Sequence, residues 1–134
     1  GRLAAKAACK YIEDKKAEGI KVSEKQYENL KEVIYKPLEN YTVGRNEITA
    51  GTVSPSYILP LQGLQRLQKI MDEYVGGISF NYMTNENTLK RGLELLDLLK
   101  EDLEHVGAED YHQLMRAWEL KHRTITSQCV TEHK

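Results

Sequence analysis

Apolar positions recur along most of this chain at the three- and four-residue spacing of amphipathic helices. Leu3, Ala7, Tyr11 and Ile12 lie along one helical face, and Gly19 offers a left-handed stop to a first helix over residues 1–18. Ser23-Glu24-Lys25-Gln26 reads as a capping box, in which the Ser hydroxyl accepts from a backbone amide while Gln26 reaches back. The helix it opens carries Tyr27, Leu30, Val33 and Ile34. It is predicted to end before Pro37, which disfavours helix at Lys36. Residues 37–62 hold all three prolines, together with Gly44 and Gly51, and keep no sustained period. They are expected to be one long irregular segment with a short strand at residues 48–53. A segment of that kind usually marks function or an interface.

Helical spacing resumes near Leu61, with Leu64, Leu67, Ile70, Met71 and Tyr74, and stops at Gly76-Gly77. A short link through Phe80 and Tyr82 leads to Thr84-Asn85, a good N-cap pair. The following helix has Leu89, Leu93, Leu96, Leu99 and Leu103 on one stripe, widened by Leu95 and Leu98, and closes at Gly107. A stripe that broad predicts a deeply packed helix. From Asp110 to Lys134 a last helix places Tyr111, Leu114, Met115, Trp118, Ile125 and Cys129 on a face interrupted by His122. The fold class expected is mainly α, with three antiparallel helices as an ordinary bundle.

The ends sharpen this picture. Gly1-Arg2-Leu3-Ala4-Ala5-Lys6-Ala7-Ala8 begins a strong helix former with no capping residue ahead of it. The last helix runs to Glu132-His133-Lys134 with no Gly or Pro beyond. Both ends suggest an internal fragment of a larger protein; a complete small domain with frayed ends is the plainer alternative.

Composition narrows the function classes. The chain has 134 residues, the usual size of one domain, and can bury roughly two-thirds of its unfolded surface. One Phe and one Trp against 16 Leu favour a helical core over a sandwich. A net charge of −1 argues against a dedicated nucleic-acid binder. No apolar run approaches the ~18–20 residues that span a bilayer, so no membrane insertion is expected. Cys9 and Cys129 make no disulfide framework and read as reduced thiols in a cytoplasmic setting.

Candidate chemistry is thin. Glu109-x-x-His112 and Glu119-x-x-His122 each match the Glu-x-x-His unit of di-iron bundles, but that site draws its units from different helices. Here both sit on one helix, ~15 Å apart at ~1.5 Å per residue, and cannot share a metal pair. His105 and His133 add no zinc spacing. Cys129 stands one turn before His133, yet a Cys on an apolar face ordinarily packs as a small core residue. Gly76-Gly77 follows a helix and is a C-cap, not a phosphate-binding turn. Glu13-Asp14-Lys15-Lys16 and Lys100-Glu101-Asp102 read as solvated faces. Arg66, Arg91, Arg116 and Arg123 could meet carboxylates of a partner chain, although surface arginines need no such explanation. No catalytic, cofactor-binding or metal residue is assigned.

Several strings nevertheless resemble a known family. Ala50-Gly51-Thr52-Val53-Ser54-Pro55 and the run from Pro60 to Gly77, including Leu61-Gln62-Gly63-Leu64-Gln65-Arg66-Leu67, are similar to the alpha subunit of dissimilatory adenylylsulfate reductases. Tyr82-Met83-Thr84-Asn85-Glu86, Arg116-Ala117-Trp118-Glu119 and His122-Arg123-Thr124 fit the same subunit, and the resemblance runs essentially from end to end. More distantly, the helices are similar to the C-terminal helical domain of succinate dehydrogenase and fumarate reductase flavoproteins. The resemblance implies residues 1–19 as the end of an FAD-binding domain, 20–62 as a connecting helix and long loop, and 63–134 as a truncated helical bundle. It further implies a parent that holds FAD and pairs with an iron–sulfur beta subunit carrying 4Fe–4S clusters. Such an enzyme converts adenylylsulfate to AMP and sulfite, or the reverse, and exchanges electrons with a membrane complex. The Gly-rich dinucleotide fingerprint of the family is not in this sequence. The segment is therefore expected to be scaffold, inactive alone. A helical interaction module without a redox role is the competing expectation.

Overall fold

A computed structural model of the chain describes residues 1–15, 22–49 and 58–134, with the side chains of 46–49 excepted. It is mainly α, as the periodicity predicts. Five α-helices lie among the described residues: α1 (Arg2–Lys15), α2 (Glu24–Thr49), α3 (Pro60–Tyr74), α4 (Glu86–Asp102) and α5 (Tyr111–His133). Short 3₁₀ turns at Ile78–Phe80 and Leu103–His105 join the last three. The chain divides into two compact units, Gly1–Val33 and Ile34–Lys134.

In the first unit, α1 buries no residue, and Leu3, Tyr11 and Ile12 are all exposed. The stop expected at Gly19 lies outside the described residues. The first turns of α2 also present Tyr27, Leu30 and Val33 to solvent. The predicted capping box is in place. Ser23 N–H donates to Gln26 Oε1 at 3.1 Å, and Gln26 N–H donates to Ser23 Oγ at 3.3 Å.

The second unit holds the core. In it α3, α4 and α5 each pack against the other two. Leu67, Ile70, Leu96, Leu99, Leu103, Val106, Ala117 and Leu120 form one buried cluster, with Ile58, Leu64, Met71 and Leu95 packed against it. The predicted leucine stripe of α4 thus supplies the centre, although Leu98 stays 47% exposed at its edge. Gly63 permits the close approach of α3. A Cβ there would stand 2.6 Å from Leu120 Cδ2 and 3.2 Å from Leu103 Cδ2. Each bundle helix starts on a satisfied amide. Gln62 Oε1 accepts from Leu59 N–H at 2.9 Å, Asn85 Oδ1 from Thr88 N–H at 3.0 Å, and Asp110 Oδ1 from Gln113 N–H at 2.7 Å.

Two expectations are corrected. The irregular segment predicted from residue 37 is helical as far as Thr49, with Pro37 inside α2. The strand expected at residues 48–53 is helical at 48–49, and residues 50–53 lie outside the described part. Proline removes one intrahelical donor and crowds the carbonyl four residues back, which ordinarily ends or kinks a helix. Here tertiary bonds offset that loss. Pro37 is among the most deeply buried residues, its carbonyl accepts from Ala108 N–H at 2.8 Å, and the Ile34 carbonyl accepts from Trp118 Nε1–H at 3.0 Å. One turn on, Asn40 Nδ2 donates to the carbonyls of Glu104 at 3.0 Å and Val106 at 3.1 Å. These partners come from far along the chain, so local propensity could not anticipate them.

The second correction concerns α5. Its buried face is Leu114, Ala117, Leu120, Thr124 and Thr131, not the predicted Tyr111-to-Cys129 stripe. Only Leu114 is common to both. Small residues let this face approach its neighbours closely, and its threonines are not left unsatisfied. Thr124 Oγ1 donates to Leu120 O at 2.9 Å and Thr131 Oγ1 to Ser127 O at 2.7 Å.

Candidate functional site

The displaced stripe of α5 is largely left outside the core. Tyr111, Met115, Trp118, His122, Ile125 and Cys129 follow one another at intervals of four, three, four, three and four residues. That is the a/d spacing of a helix–helix seam. Tyr111, Met115 and Ile125 are 74%, 53% and 49% exposed, and His122 and Cys129 are exposed too. Trp118 is half-buried, held edge-on by its bond to Ile34, with Lys121 Nζ 5.1 Å from its ring centroid. Tyr111 meets Tyr35 edge to face at 6.4 Å, so α2 extends the same surface through Ile34 and Tyr35.

A second exposed feature is the turn between α3 and α4. Gly76 has φ +80°, and Asn81 and Tyr82 follow with φ 51° and 60°. Asparagine tolerates the left-handed region, whereas a bulky aromatic there is strained. Asp72 braces the turn by accepting from Ser79 N–H at 3.1 Å. Hydrogen bonds from the Ser79 side chain, then from the backbone of Ser79 and Ile78, hold the Asp72 carboxyl below its ordinary range. Ile78, Phe80, Tyr82 and Met83 stand exposed along this turn.

The candidate metal and nucleophile residues are not brought together. Glu119 and His122 lie on α5, with His122 tilted against Trp118 at 6.1 Å. His112 Nε2 instead accepts from Arg116 Nε–H at 3.4 Å. Among the described residues no group of three or more His, Cys, Asp and Glu side chains could hold a metal ion. Cys9 and Cys129 are free and exposed, which corrects the expectation that Cys129 packs in the core. The arginines considered for a partner chain have intramolecular partners. Arg66 pairs with Asp102, Arg91 with Glu94 at 2.6 Å, and Arg123 with Glu119 at 3.8 Å. These are exposed pairs, worth ~0–1 kcal/mol each. A cavity of about 50 Å³ beside Leu64, Arg116 and Arg123 is far below the ~300 Å³ of a small-molecule site. A shallow depression of about 430 Å³ between Leu89, Lys90 and Thr131 gathers no catalytic set.

No family profile matches the sequence. The chain is 40% identical over 106 residues to the alpha subunit of adenylylsulfate reductase from Megalodesulfovibrio gigas, a match covering 79% of this chain and 16% of that one. The solved adenylylsulfate reductase from the hyperthermophile Archaeoglobus fulgidus superposes on 98% of this chain with a TM-score of 0.86 and 50% identity. This chain is homologous to a segment of the adenylylsulfate reductase alpha subunit. A solved adenosine-5-phosphosulfate reductase carrying sulfite as a covalent adduct matches equally well, at a TM-score of 0.86 and 50% identity over 98% of this chain. The chain spans about one-fifth of the length of these solved relatives. The resemblance read from the sequence is therefore shown, and the succinate dehydrogenase or fumarate reductase alternative is not favoured.

Proposed function

We propose that this chain is a scaffold segment of an adenylylsulfate reductase alpha subunit, contributing packing surfaces rather than reacting groups to the conversion of adenylylsulfate to AMP and sulfite. The observation that carries this reading is 50% identity sustained at a TM-score of 0.86 over nearly the whole chain. Sequences half identical along their length that superpose this closely share one fold.

The resemblance implies FAD in the parent subunit, 4Fe–4S clusters in a beta subunit, and a cytoplasmic enzyme that passes electrons to or from a membrane complex. The residues of this chain do not fit either group. A 4Fe–4S cluster takes four thiolates, and the sequence holds two cysteines, 120 positions apart. A dinucleotide is cradled by a Gly-rich turn between strand and helix, and no such fingerprint occurs here. In this reading both groups are held by other parts of the complex, while residues 1–19 end the FAD domain and 63–134 form the helical domain. Among the described residues, no helix is long and apolar enough to cross a membrane.

A segment exchange tests the reading. Residues 1–134 would replace the matching fifth of the Archaeoglobus fulgidus alpha subunit, and the assembled chimera would be assayed for adenylylsulfate reduction. Activity within about tenfold of the parent is expected. A chimera that assembles and binds flavin yet does not reduce adenylylsulfate at all would refute the reading.

A further inference from the structure

The α5 seam has a defined length, direction and chemistry. Its six residues carry no formal charge with His122 neutral, and they span five intervals of helical a/d spacing, ~27 Å at ~1.5 Å per residue. Apart from Trp118, which bonds to Ile34, these residues stand exposed. The core leucines Leu96, Leu99, Leu103 and Leu120 stand at 0–2% exposure while most of the seam remains open. Contiguous apolar surface of this kind, continued onto Ile34 and Tyr35 of a second helix, marks an interaction site on a soluble protein. Trp118 strengthens the case. Its indole is fixed by the bond to the Ile34 carbonyl, so the exposed part of the ring is presented in one orientation at little entropic cost.

The occupant follows from the length of the relatives. The Archaeoglobus fulgidus chain matches 98% of this chain, yet the match amounts to 20% of it, so four-fifths of that polypeptide lies outside the matched segment and is available to pack on it. We infer that the seam formed by Tyr111, Met115, Trp118, Ile125 and Cys129, with Ile34 and Tyr35, is the bed on which an apolar helix face from the remainder of the same alpha-subunit polypeptide packs. The partner has a matching a/d row of aliphatic residues, with a polar or acidic side chain opposite His122 that sets its register. This rests on the proposal that the chain is a segment of that subunit.

Cys129 makes the seam measurable, because it lies on the row and is exposed in this chain alone. The experiment labels the full-length alpha subunit, dilute and without its beta partner, with N-ethylmaleimide and follows Cys129 by peptide mass spectrometry. Its rate in the native subunit is expected to be at least tenfold below that in the urea-unfolded subunit, independent of protein concentration. A cysteine introduced off the seam by Lys100→Cys is expected to react at close to the unfolded rate. Ile125→Glu, one turn from Cys129, is expected to restore labelling of Cys129 at least fivefold while leaving the Lys100→Cys rate unchanged. Native Cys129 reacting as fast as the unfolded thiol would overturn the proposal. So would protection that disappears on dilution, which indicates a second copy, or protection that arises only when the beta subunit is added. Cys129 labelled freely in a subunit whose segment exchange is active would remove this inference and leave the proposed function standing.

Discussion

Helices α1 and α4 are built from similar amphipathic patterns and end in opposite situations. In α1, Leu3, Tyr11 and Ile12 share a face, and that face is 59–85% exposed. In α4, Leu96 and Leu99 share a face that is completely buried between α3 and α5. Propensity favours α1, whose Ala-rich start is the better helix former. Among the described residues, α4 packs against α3 and α5, whereas α1 buries none of its side chains. The comparison recurs within α2, where Tyr27, Leu30 and Val33 are exposed while Pro37 and Asn40 are fastened to the 104–108 link. Apolar periodicity therefore specifies that a helix will pack, and only the three-dimensional context specifies against what.

The difference is sharpest at single side chains. Leu99→Ala empties a fully buried position and is expected to lower the stability of the chain by about 2–5 kcal/mol in urea unfolding. Leu3→Ala, at 85% exposure, is expected to change the same measurement by less than about 0.5 kcal/mol. Comparable losses at both sites would mean that α1 belongs to the cooperative core.

Within α2 the contrast is between two asparagines. Asn40→Ala strips hydrogen bonds from the carbonyls of Glu104 and Val106 and is expected to cost about 1–3 kcal/mol. Asn29→Ala, in the exposed part of the same helix, is expected to stay within about 0.5 kcal/mol. Equal effects by thermal denaturation would contradict the division of this helix between two units.

Much of this was legible beforehand, and the failures share one cause. Asn85, Asp110 and Ser23 cap helices as their types suggest, because capping depends on residues three apart. The leucine stripe of α4 became the core because its breadth left no other register. Pro37 misled because the groups that offset its missing donor, Trp118 and Ala108, lie about 70–80 residues away. The α5 face misled for a subtler reason. Two overlapping stripes compete there, and the sequence rewards the larger side chains, while close packing rewards Ala117, Thr124 and Thr131. The candidate site inherits that ambiguity, since the stripe rejected by the core is the one left free to bind. The string Ala50-Gly51-Thr52-Val53-Ser54-Pro55, one of those that carry the resemblance, lies outside the described residues.

A smaller cap effect separates the regions again. Asn85→Ala is expected to destabilise the bundle by about 1 kcal/mol. Ser23→Ala removes an equivalent bond from α2, yet is expected to leave the bundle's unfolding midpoint unchanged, because residues 1–33 form a separate unit.

The smallest expected effect is on acid stability. The Asp72 carboxyl lies below its unfolded value of about 3.8, so its contribution is fully present above that pH and is lost as pH falls through the lower folded value. Asp72→Asn is expected to flatten the Tm–pH curve below about pH 4. An unchanged acid limb would show that the Ser79 bonds do not persist in solution.

Amide hydrogen exchange tests the central proposal, that α3, α4 and α5 form the stable part of this chain, whereas α1 and residues 24–33 become ordered by packing within a longer subunit. In the isolated chain, amides of α3, α4 and α5 are expected to exchange near the rate of global unfolding, while those of α1 and of residues 24–33 exchange within about tenfold of unprotected amides. In the full-length subunit, the amides of α1 and residues 24–33 are expected to slow by at least a hundredfold. Protection of α1 that is already equal to that of α4 in isolation, or unchanged in the full-length subunit, would contradict the account.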